Sequence, residues 1–125
     1  MLDPCLAYLE ERAATVPGFT FEVLVVDDGS SDGTGNVVGR YVRTHGIEKV
    51  RLLTLRPNQG KGAAVQKGML RGRGSLLLMA DADGATEVIV ATLNLSLYFI
   101  PSSKVVCHLP FILSFFLLRS SVLSR

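Results

Sequence analysis

The apolar positions in the first two-thirds of the chain switch between helical and strand-like spacing. From Leu2 to Ala13, apolar residues recur every three or four positions with charges between them, and Pro17-Gly18 ends this pattern. The next run, Phe19 to Val26 (FTFEVLVV), is rich in β-branched and aromatic residues and is almost continuously apolar. A run of that length and composition predicts a strand buried on both faces of a parallel sheet.

The same alternation continues along the chain. A polar turn (DDGSSDG) precedes a second amphipathic helix, and this helix is followed by a strand, a glycine-containing loop, a short helix and a third strand. The predicted segments after the turn are a helix running to His45 with Gly46 as its stop, a strand at Val50–Leu55, a helix at Ala63–Leu70 and a strand at Ser75–Ala80. Alternating helices and strands predict an α/β fold with a parallel sheet of about three strands covered by helices.

The last third of the chain has a different composition. All 11 acidic residues and all 12 glycines lie before residue 88, and residues 88–125 contain long apolar runs. We therefore expect two regions, residues 1–87 and an apolar tail at 88–125 that packs poorly on the core or forms separate helices. The run Val105–Leu118 is shorter than the ~20 residues of a membrane span and is interrupted by Pro110. Membrane association through the tail and an exposed, aggregation-prone tail both remain open.

Charge and cysteine content narrow the function classes. The net charge is +2, which is too small to indicate a nucleic-acid partner. Cys5 and Cys107 lie in unrelated contexts on opposite sides of the compositional change, so two unpaired thiols in a reducing compartment are expected. Charged residues near the start interrupt any apolar run, so no signal peptide is expected there.

Two carboxylates follow directly on the third predicted strand, in the sequence Asp81-Ala82-Asp83. Residues i and i+2 of an extended chain can face the same way, so both carboxylates can reach one point. Hard oxygen ligands at this spacing suit Mg²⁺ or Mn²⁺ shared with a diphosphate. A solvated turn is the alternative for an isolated Asp-x-Asp. An EF-hand is excluded, because Thr92 stands where its bidentate glutamate should be.

Two further loops are candidates for ligand binding. Asp27-Asp28-Gly29-Ser30 ends the first predicted strand, where carboxylates can accept hydrogen bonds from a base or a ribose; a helix-capping turn is the alternative. The loop Asn58–Gly62 contains Lys61 and two glycines ahead of a helix, and could meet a diphosphate, although it is not a Walker A sequence. Ligands of such sheets bind beyond the carboxyl ends of the strands, so Asp27-Asp28 and Asp81 are predicted at the same edge.

Three segments in order, FEVLVVDDGSSDGT, KVRLLTLRPNQGKGAAVQKGM and LLLMADADGAT, resemble glycosyltransferase family 2. The resemblance is greatest to its dolichyl-phosphate β-glucosyltransferases and covers Met1 to about Glu87. The run MADADGAT is its most specific part and favours glucose over mannose, with a dolichyl-phosphate mannosyltransferase relative as the alternative.

The resemblance implies an incomplete GT-A, Rossmann-like fold that binds UDP-glucose and a divalent metal, Mg²⁺ or Mn²⁺. It implies that Asp27 and Asp28, with Gly29 and Ser30, contact the uridine part, and that Lys61 lies near the diphosphate or base. Asp81 and Asp83 are implied to hold the metal, with Asp81 also at the phosphates. The implied acceptor is dolichyl phosphate, at the cytosolic face of the endoplasmic reticulum membrane. No catalytic base is expected, because a phosphate monoester is already an anionic nucleophile.

The chain also departs from the family pattern. Family members begin with a membrane anchor and a strand carrying a Pro-(Ala/Ser)-Tyr-Asn-Glu-like sequence, and they continue after the Asp-x-Asp into acceptor-binding helices. We therefore expect a chain truncated at both ends that binds UDP-glucose weakly with metal and transfers little or no glucose, because the acceptor no longer contributes to positioning. The alternative is an inactive product that at most binds a nucleotide sugar.

Overall fold

This computed structural model describes residues 2–81 and 111–119, the latter as a backbone strand. Three helices and three strands alternate along residues 2–81, as the sequence predicts, and a fourth strand follows. The elements are α1 (Leu2–Thr15), β1 (Phe19–Asp27), α2 (Thr34–His45), β2 (Val50–Thr54), α3 (Lys61–Arg71), β3 (Leu76–Asp81) and β4 (Phe111–Arg119).

All paired strands run parallel, in the order β2-β1-β4-β3. β1 therefore lies inside the sheet, with β2 on one side and β4 on the other. The side chains of β1 alternate between two cores, as expected for a strand covered on both faces. Phe21, Val23 and Val25 join the core that includes buried residues of α1 and α2, whereas Leu24 and Val26 pack with buried Ala64 of α3.

The helix boundaries follow local sequence signals. α2 begins at Thr34, directly after Gly33, and ends at Gly46, which has a φ of 84° and donates its N–H to the carbonyl of Val42 at 2.9 Å. Glycine adopts this left-handed backbone without the steric penalty that a Cβ would bring. The predicted stop at Gly46 is therefore confirmed.

One expectation about the tail is wrong. Residues 111–119 (FILSFFLLR) form β4, which pairs with β1 along its whole length and with β3 from Leu113 to Leu118, instead of packing poorly or forming a helix. The physical reason is the run's length and composition. Nine residues, apolar in nearly every position and free of glycine and proline, suit an interior strand of a parallel sheet. The boundary proposed after residue 87 lies outside the described residues and stays a prediction.

Within the described ranges, no helix combines the length and the apolar character needed to cross a bilayer. Within the run Val105–Leu118, residues 105–110, including Cys107, lie outside those ranges. Cys5, a residue of α1, is buried in the core and is a free thiol. Burial raises the pKa of the Cys5 thiol to about 12, so this side chain behaves as a small apolar group at neutral pH.

A buried carboxylate interrupts the apolar character of β1. Glu22 is 1% exposed, and its Oε2 accepts hydrogen bonds from Arg51 Nη1 at 3.0 Å and from Arg73 Nε at 2.8 Å. Its Oε1 accepts the backbone N–H of Arg73 at 2.5 Å. The hydrogen bond with Glu22 raises the pKa of Arg73, which also contacts Glu48. These contacts fix the segment between α3 and β3 against the amino-terminal half of β1.

Candidate functional site

The carboxyl ends of the strands bring the predicted acidic residues to one edge of the sheet. β1 ends at Asp27 and β3 ends at Asp81, and β4 separates the two strands. In register, Asp27 is opposite Arg119 of β4, and Asp81 is opposite Leu118. Two strand spacings separate the aspartates, which places their Cα atoms about 10 Å apart. The predicted location of Asp27-Asp28 and Asp81 at the same edge is confirmed.

Asp27 organises the turn that follows β1. Its side chain is 2% exposed, and Oδ1 accepts the backbone N–H of Ser30 at 3.0 Å. Its carbonyl oxygen accepts the N–H of Leu55 at 2.8 Å, which extends the pairing between β1 and the chain after β2. An aspartate that bonds a backbone N–H a few residues ahead is a common way to stabilise a tight turn.

Asp28 connects this turn to the loop before α3. The carboxylate is 1% exposed, and its two oxygens accept the backbone N–H groups of Gln59 and Gly60, each at 2.8 Å. The carbonyl oxygen of Asp28 also accepts a hydrogen bond from Asn58 Nδ2 at 2.8 Å. Hydrogen bonds to a charged carboxylate are among the stronger ones in proteins. Asp28 therefore holds the Lys61-containing loop in place, a role that the sequence did not reveal.

Gly29 allows the two loops to lie this close together. Its φ is +76°, and a Cβ at this position would lie 3.1 Å from the backbone nitrogen of Asn58 and 3.3 Å from the carbonyl oxygen of Leu55. Both a left-handed backbone and a close backbone approach favour glycine. Gly29 thus contributes through the shape of the turn and not through a side chain.

Lys61 and Asp81 form the polar contact across this edge. Lys61 is the first residue of α3, and its Nζ lies 2.7 Å from Asp81 Oδ2. The two side chains are 55% and 38% exposed, so both remain accessible to a ligand. The first N–H groups of an α-helix have no partner inside the helix, and they favour anions. A cation, a helix start and a strand-end carboxylate therefore lie together.

Ser30, in the turn that Asp27 stabilises, carries an unsatisfied polar atom. Its Oγ is buried and has no hydrogen-bond partner among the residues that the structure describes. A buried hydroxyl without a partner costs free energy, on the order of 1–3 kcal/mol. A ligand hydroxyl or phosphate oxygen at the turn would satisfy it.

The predicted metal pair is only partly within the described residues. Asp81 lies at the edge with a half-exposed carboxylate, while Asp83 lies outside residues 2–81 and 111–119. Across those two ranges, no group of three or more histidine, cysteine, aspartate or glutamate side chains is placed to hold a metal. Asp81 offers the hard oxygen that Mg²⁺ and Mn²⁺ prefer, so the residue present fits the implied ion.

Sequence reasoning missed the partners of two buried carboxylates. Gln59 and Gly60 were recognised as part of a loop, but nothing in the local pattern indicates that their backbone N–H groups bond Asp28. Glu22 was included in an apolar strand without a stated role. A charged residue in the middle of an otherwise buried strand was the available signal, because such a residue needs a partner.

A family model matches more than half of the chain. The model for glycosyl transferase family 2 matches residues 1–87. The chain belongs to glycosyl transferase family 2, and its α/β architecture with a parallel sheet is that of a partial GT-A, Rossmann-like fold. The segment that matches contains the acidic turn, the Lys61 loop and Asp81.

The names of individual relatives are more specific than the description of the family. The chain is 59% identical over 87 residues to the dolichyl-phosphate beta-glucosyltransferase of Drosophila melanogaster, and 52% identical over 87 residues to that of Homo sapiens. Identity to the Saccharomyces cerevisiae enzyme of the same name is 36% over 90 residues. Each match covers 70% of this chain and 26–27% of the relative, so the chain spans about a quarter of their length. No solved structure matches the chain.

Proposed function

We propose that this protein binds UDP-glucose at the carboxyl edge of its sheet and acts in the transfer of glucose to dolichyl phosphate. The observation that carries the proposal is the convergence of two loops and a strand end. Asp28 holds the loop of Gln59 and Gly60, and Lys61 at the end of that loop reaches Asp81 at 2.7 Å. The names of the relatives supply the sugar and the lipid acceptor.

The nucleoside and the diphosphate would use different parts of the edge. The turn at Asp27 and Ser30 would receive the uridine part, where the unsatisfied Ser30 Oγ has a hydrogen bond to gain. Lys61 would contact the diphosphate, since its ammonium group is exposed and stands at the start of α3. Asp28 would act through the position of the loop, because both of its oxygens already accept backbone N–H groups.

A divalent ion is part of the proposal. Asp81 and Asp83 would hold Mg²⁺ or Mn²⁺, and the ion would neutralise charge on the departing diphosphate. Lys61 adds a further positive charge beside Asp81, within reach of the same phosphates.

The proposed transfer needs no protein base. A phosphate oxygen of dolichyl phosphate attacks C1 of glucose, the bond from C1 to the UDP oxygen breaks, and its electron pair leaves with UDP. Attack from the face opposite UDP inverts the configuration at C1. The residues of this chain would contribute by orienting UDP-glucose and by countering the negative charge that develops on the leaving group.

A second candidate is a protein that binds the nucleotide sugar without transferring the sugar. Binding alone needs only the carboxyl edge described above, whereas transfer also needs a site that positions the acceptor. A mannosyl donor in place of glucose is the corresponding alternative for substrate choice. We further propose the cytosolic face of the endoplasmic reticulum membrane as the location, because a polyisoprenoid acceptor stays in a bilayer.

Calorimetric titration with UDP-glucose and Mn²⁺, beside a transfer assay on dolichyl phosphate in detergent, tests the proposal. We expect metal-dependent binding of UDP-glucose that is tighter than binding of GDP-mannose. Lys61→Ala should weaken it by about 10-fold, as expected for a lost charged hydrogen bond. Lys49→Ala removes the same charge at the start of β2, at the opposite edge, and serves as the control.

The outcomes separate the candidates. Binding together with transferred glucose supports the enzyme, and binding without transfer supports the second candidate. Tighter binding of GDP-mannose than of UDP-glucose would change the proposed donor sugar from glucose to mannose. A chain that binds neither nucleotide sugar would contradict the proposed site.

A further inference from the structure

The outer side of α2 is exposed and basic. Thr34 and Val38 are buried towards the sheet. Asn36, Arg40 and Arg43 are exposed, and their spacing of four and three residues places them together on the opposite side of the helix. Residues 33–47 contain no aspartate or glutamate. These three exposed residues therefore form a basic face of α2 with no acidic side chain of its own.

The charges of this face are not neutralised by the described part of the chain. Neither of its two arginines forms a salt bridge with a described carboxylate. The carboxylates of α1 that contact α2 and the loop after it have other partners. Asp3 accepts a hydrogen bond from Tyr41 at 2.7 Å, and Glu10 pairs with Lys49 at 3.0 Å. Both guanidinium groups are therefore available to an anion outside the chain.

Exposed apolar side chains and an open depression accompany the two arginines. Val37 flanks the basic face and is 40% exposed, and Ile47 follows the end of α2 and is 64% exposed. Gly39, Arg40 and Arg43 line a depression of about 500 Å³, which has room for a phosphate group. Guanidinium groups bind phosphate oxygens through paired donors. Cations beside exposed apolar side chains suit the headgroups of an anionic bilayer and the hydrocarbon just beneath them.

We propose that the basic face of α2 docks on the surface of a bilayer that contains anionic lipids. Charge complementarity carries the inference, and the choice of a bilayer over a soluble anion rests on the proposed function, whose acceptor is a lipid phosphate. Helix α2 begins at Thr34, shortly after the turn that Asp27 and Ser30 form at the ligand-binding edge. Arg40 lies about 9 Å along the helix axis from Thr34, so docking would hold that edge close to the bilayer.

The test measures binding of the full chain to vesicles by cosedimentation. One set of vesicles is phosphatidylcholine alone, and the other contains about one-third phosphatidylserine. Any apolar contribution is common to both sets, so the ratio of the two affinities isolates the effect of charge. Arg40→Gln and Arg43→Gln remove one charge each and keep a good helix former. Arg71→Gln is the matched control, because Arg71 is exposed at the end of α3, which packs on the other face of the sheet.

We expect at least about 10-fold tighter binding to the anionic vesicles than to the neutral ones. Arg40→Gln and Arg43→Gln should each weaken binding to the anionic vesicles about 5-fold, and the double variant about 30-fold. Arg71→Gln should stay within twofold of the unchanged chain. Without vesicles, the double variant should bind UDP-glucose as the unchanged chain does, since α2 presents these side chains away from the sheet.

Three results would overturn the inference. The first is equal binding to both sets of vesicles, and the second is a loss in Arg71→Gln as large as that in Arg43→Gln. The third is soluble polyglutamate binding as tightly as the anionic vesicles and depending equally on the two arginines, which would assign this face to an acidic macromolecule. A chain that binds anionic vesicles through these arginines but binds no UDP-glucose would contradict the proposed function and support the docking face.

Discussion

Two buried carboxylates, Glu22 and Asp28, lie six residues apart in the chain, the first within β1 and the second directly after it. Both are 1% exposed, and each fixes a loop that is distant in sequence. The guanidinium groups of Arg51 and Arg73 donate hydrogen bonds to Glu22 and neutralise its negative charge. Asp28 is bound by two uncharged backbone N–H groups, of Gln59 and Gly60, and no cationic side chain bonds it among the described residues.

This difference distinguishes a contact that only stabilises the fold from a contact that also shapes the ligand-binding edge. Glu22 and Glu48 together balance the charges of Arg51 and Arg73, so this cluster has no net charge to offer a ligand. Backbone dipoles stabilise Asp28 without cancelling its charge, and the edge stays acidic. An acidic edge suits a metal and requires cations such as Lys61 to accept an anion.

Removing the cations from Glu22 should have the largest effect on stability. In a chain with Arg51→Met and Arg73→Met, the buried carboxylate loses its charged partners, which costs about 3–5 kcal/mol of unfolding free energy. Urea denaturation followed by circular dichroism measures this change. Where the chain is folded, its affinity for UDP-glucose should remain within twofold of the original.

Adding Glu22→Leu to those two changes is the control. An apolar residue needs no charged partner, so the triple variant should regain most of the lost stability. A triple variant as unstable as the double one would mean that packing of the arginine side chains, and not the charge pair, holds this end of the sheet.

Asp28→Asn should have an intermediate effect on stability and a large effect on binding. An asparagine amide presents a donor to one of the two backbone N–H groups, so at least one charged hydrogen bond is lost, at about 1.5–3 kcal/mol. Lys61 follows this loop directly, and UDP-glucose affinity should fall about 10-fold or more. Urea denaturation and calorimetry measure the two effects.

Asp32→Asn is the matched control for that variant. Asp32 accepts the backbone N–H of Thr34 in the same turn but is not one of the bonds to the Lys61-containing loop. It should leave UDP-glucose affinity within twofold. Unchanged affinity in Asp28→Asn, despite lower stability, would contradict the positioning role of Asp28.

Gly29→Ala should have the smallest effect of the three, about 2 kcal/mol, from a left-handed backbone and a close approach to Asn58. Gly18→Ala isolates the first cause. Gly18 has the same φ of 76°, but a Cβ there would meet nothing within 4 Å, so about 1 kcal/mol is expected. Thermal melts of both variants give the difference. Equal losses would mean that the two loops separate without cost.

The sequence predicted local structure well because local structure depends on nearby residues. Apolar periodicity and the glycine stop located the end of α2 at His45, and the three early strands begin within one residue of their predicted starts. The site edge followed from one rule, that carboxyl ends of parallel strands meet. Asp27, Asp28 and Asp81 are therefore at the edge where the pattern placed them.

What the sequence did not show depends on pairing between distant residues. The bonds from Asp28 to Gln59 and Gly60, and those from Glu22 to Arg51 and Arg73, join elements that only the folded chain brings together. The strand β4 was missed for the same reason. Its apolar run is compatible with a strand or a buried helix, and only the space between β1 and β3 decides between them.

The position of β4 also determines the order in which the protein can be completed during synthesis. Phe19 pairs with Phe111, so β1 leaves the ribosome long before its neighbour has been made. Until then, β1 and β3 each have an open edge, and the two have no strand between them. Long-range pairing of this kind slows folding, and exposed strand edges promote aggregation. We therefore expect the nascent chain to aggregate less when chaperones shield those edges until residues 111–119 emerge.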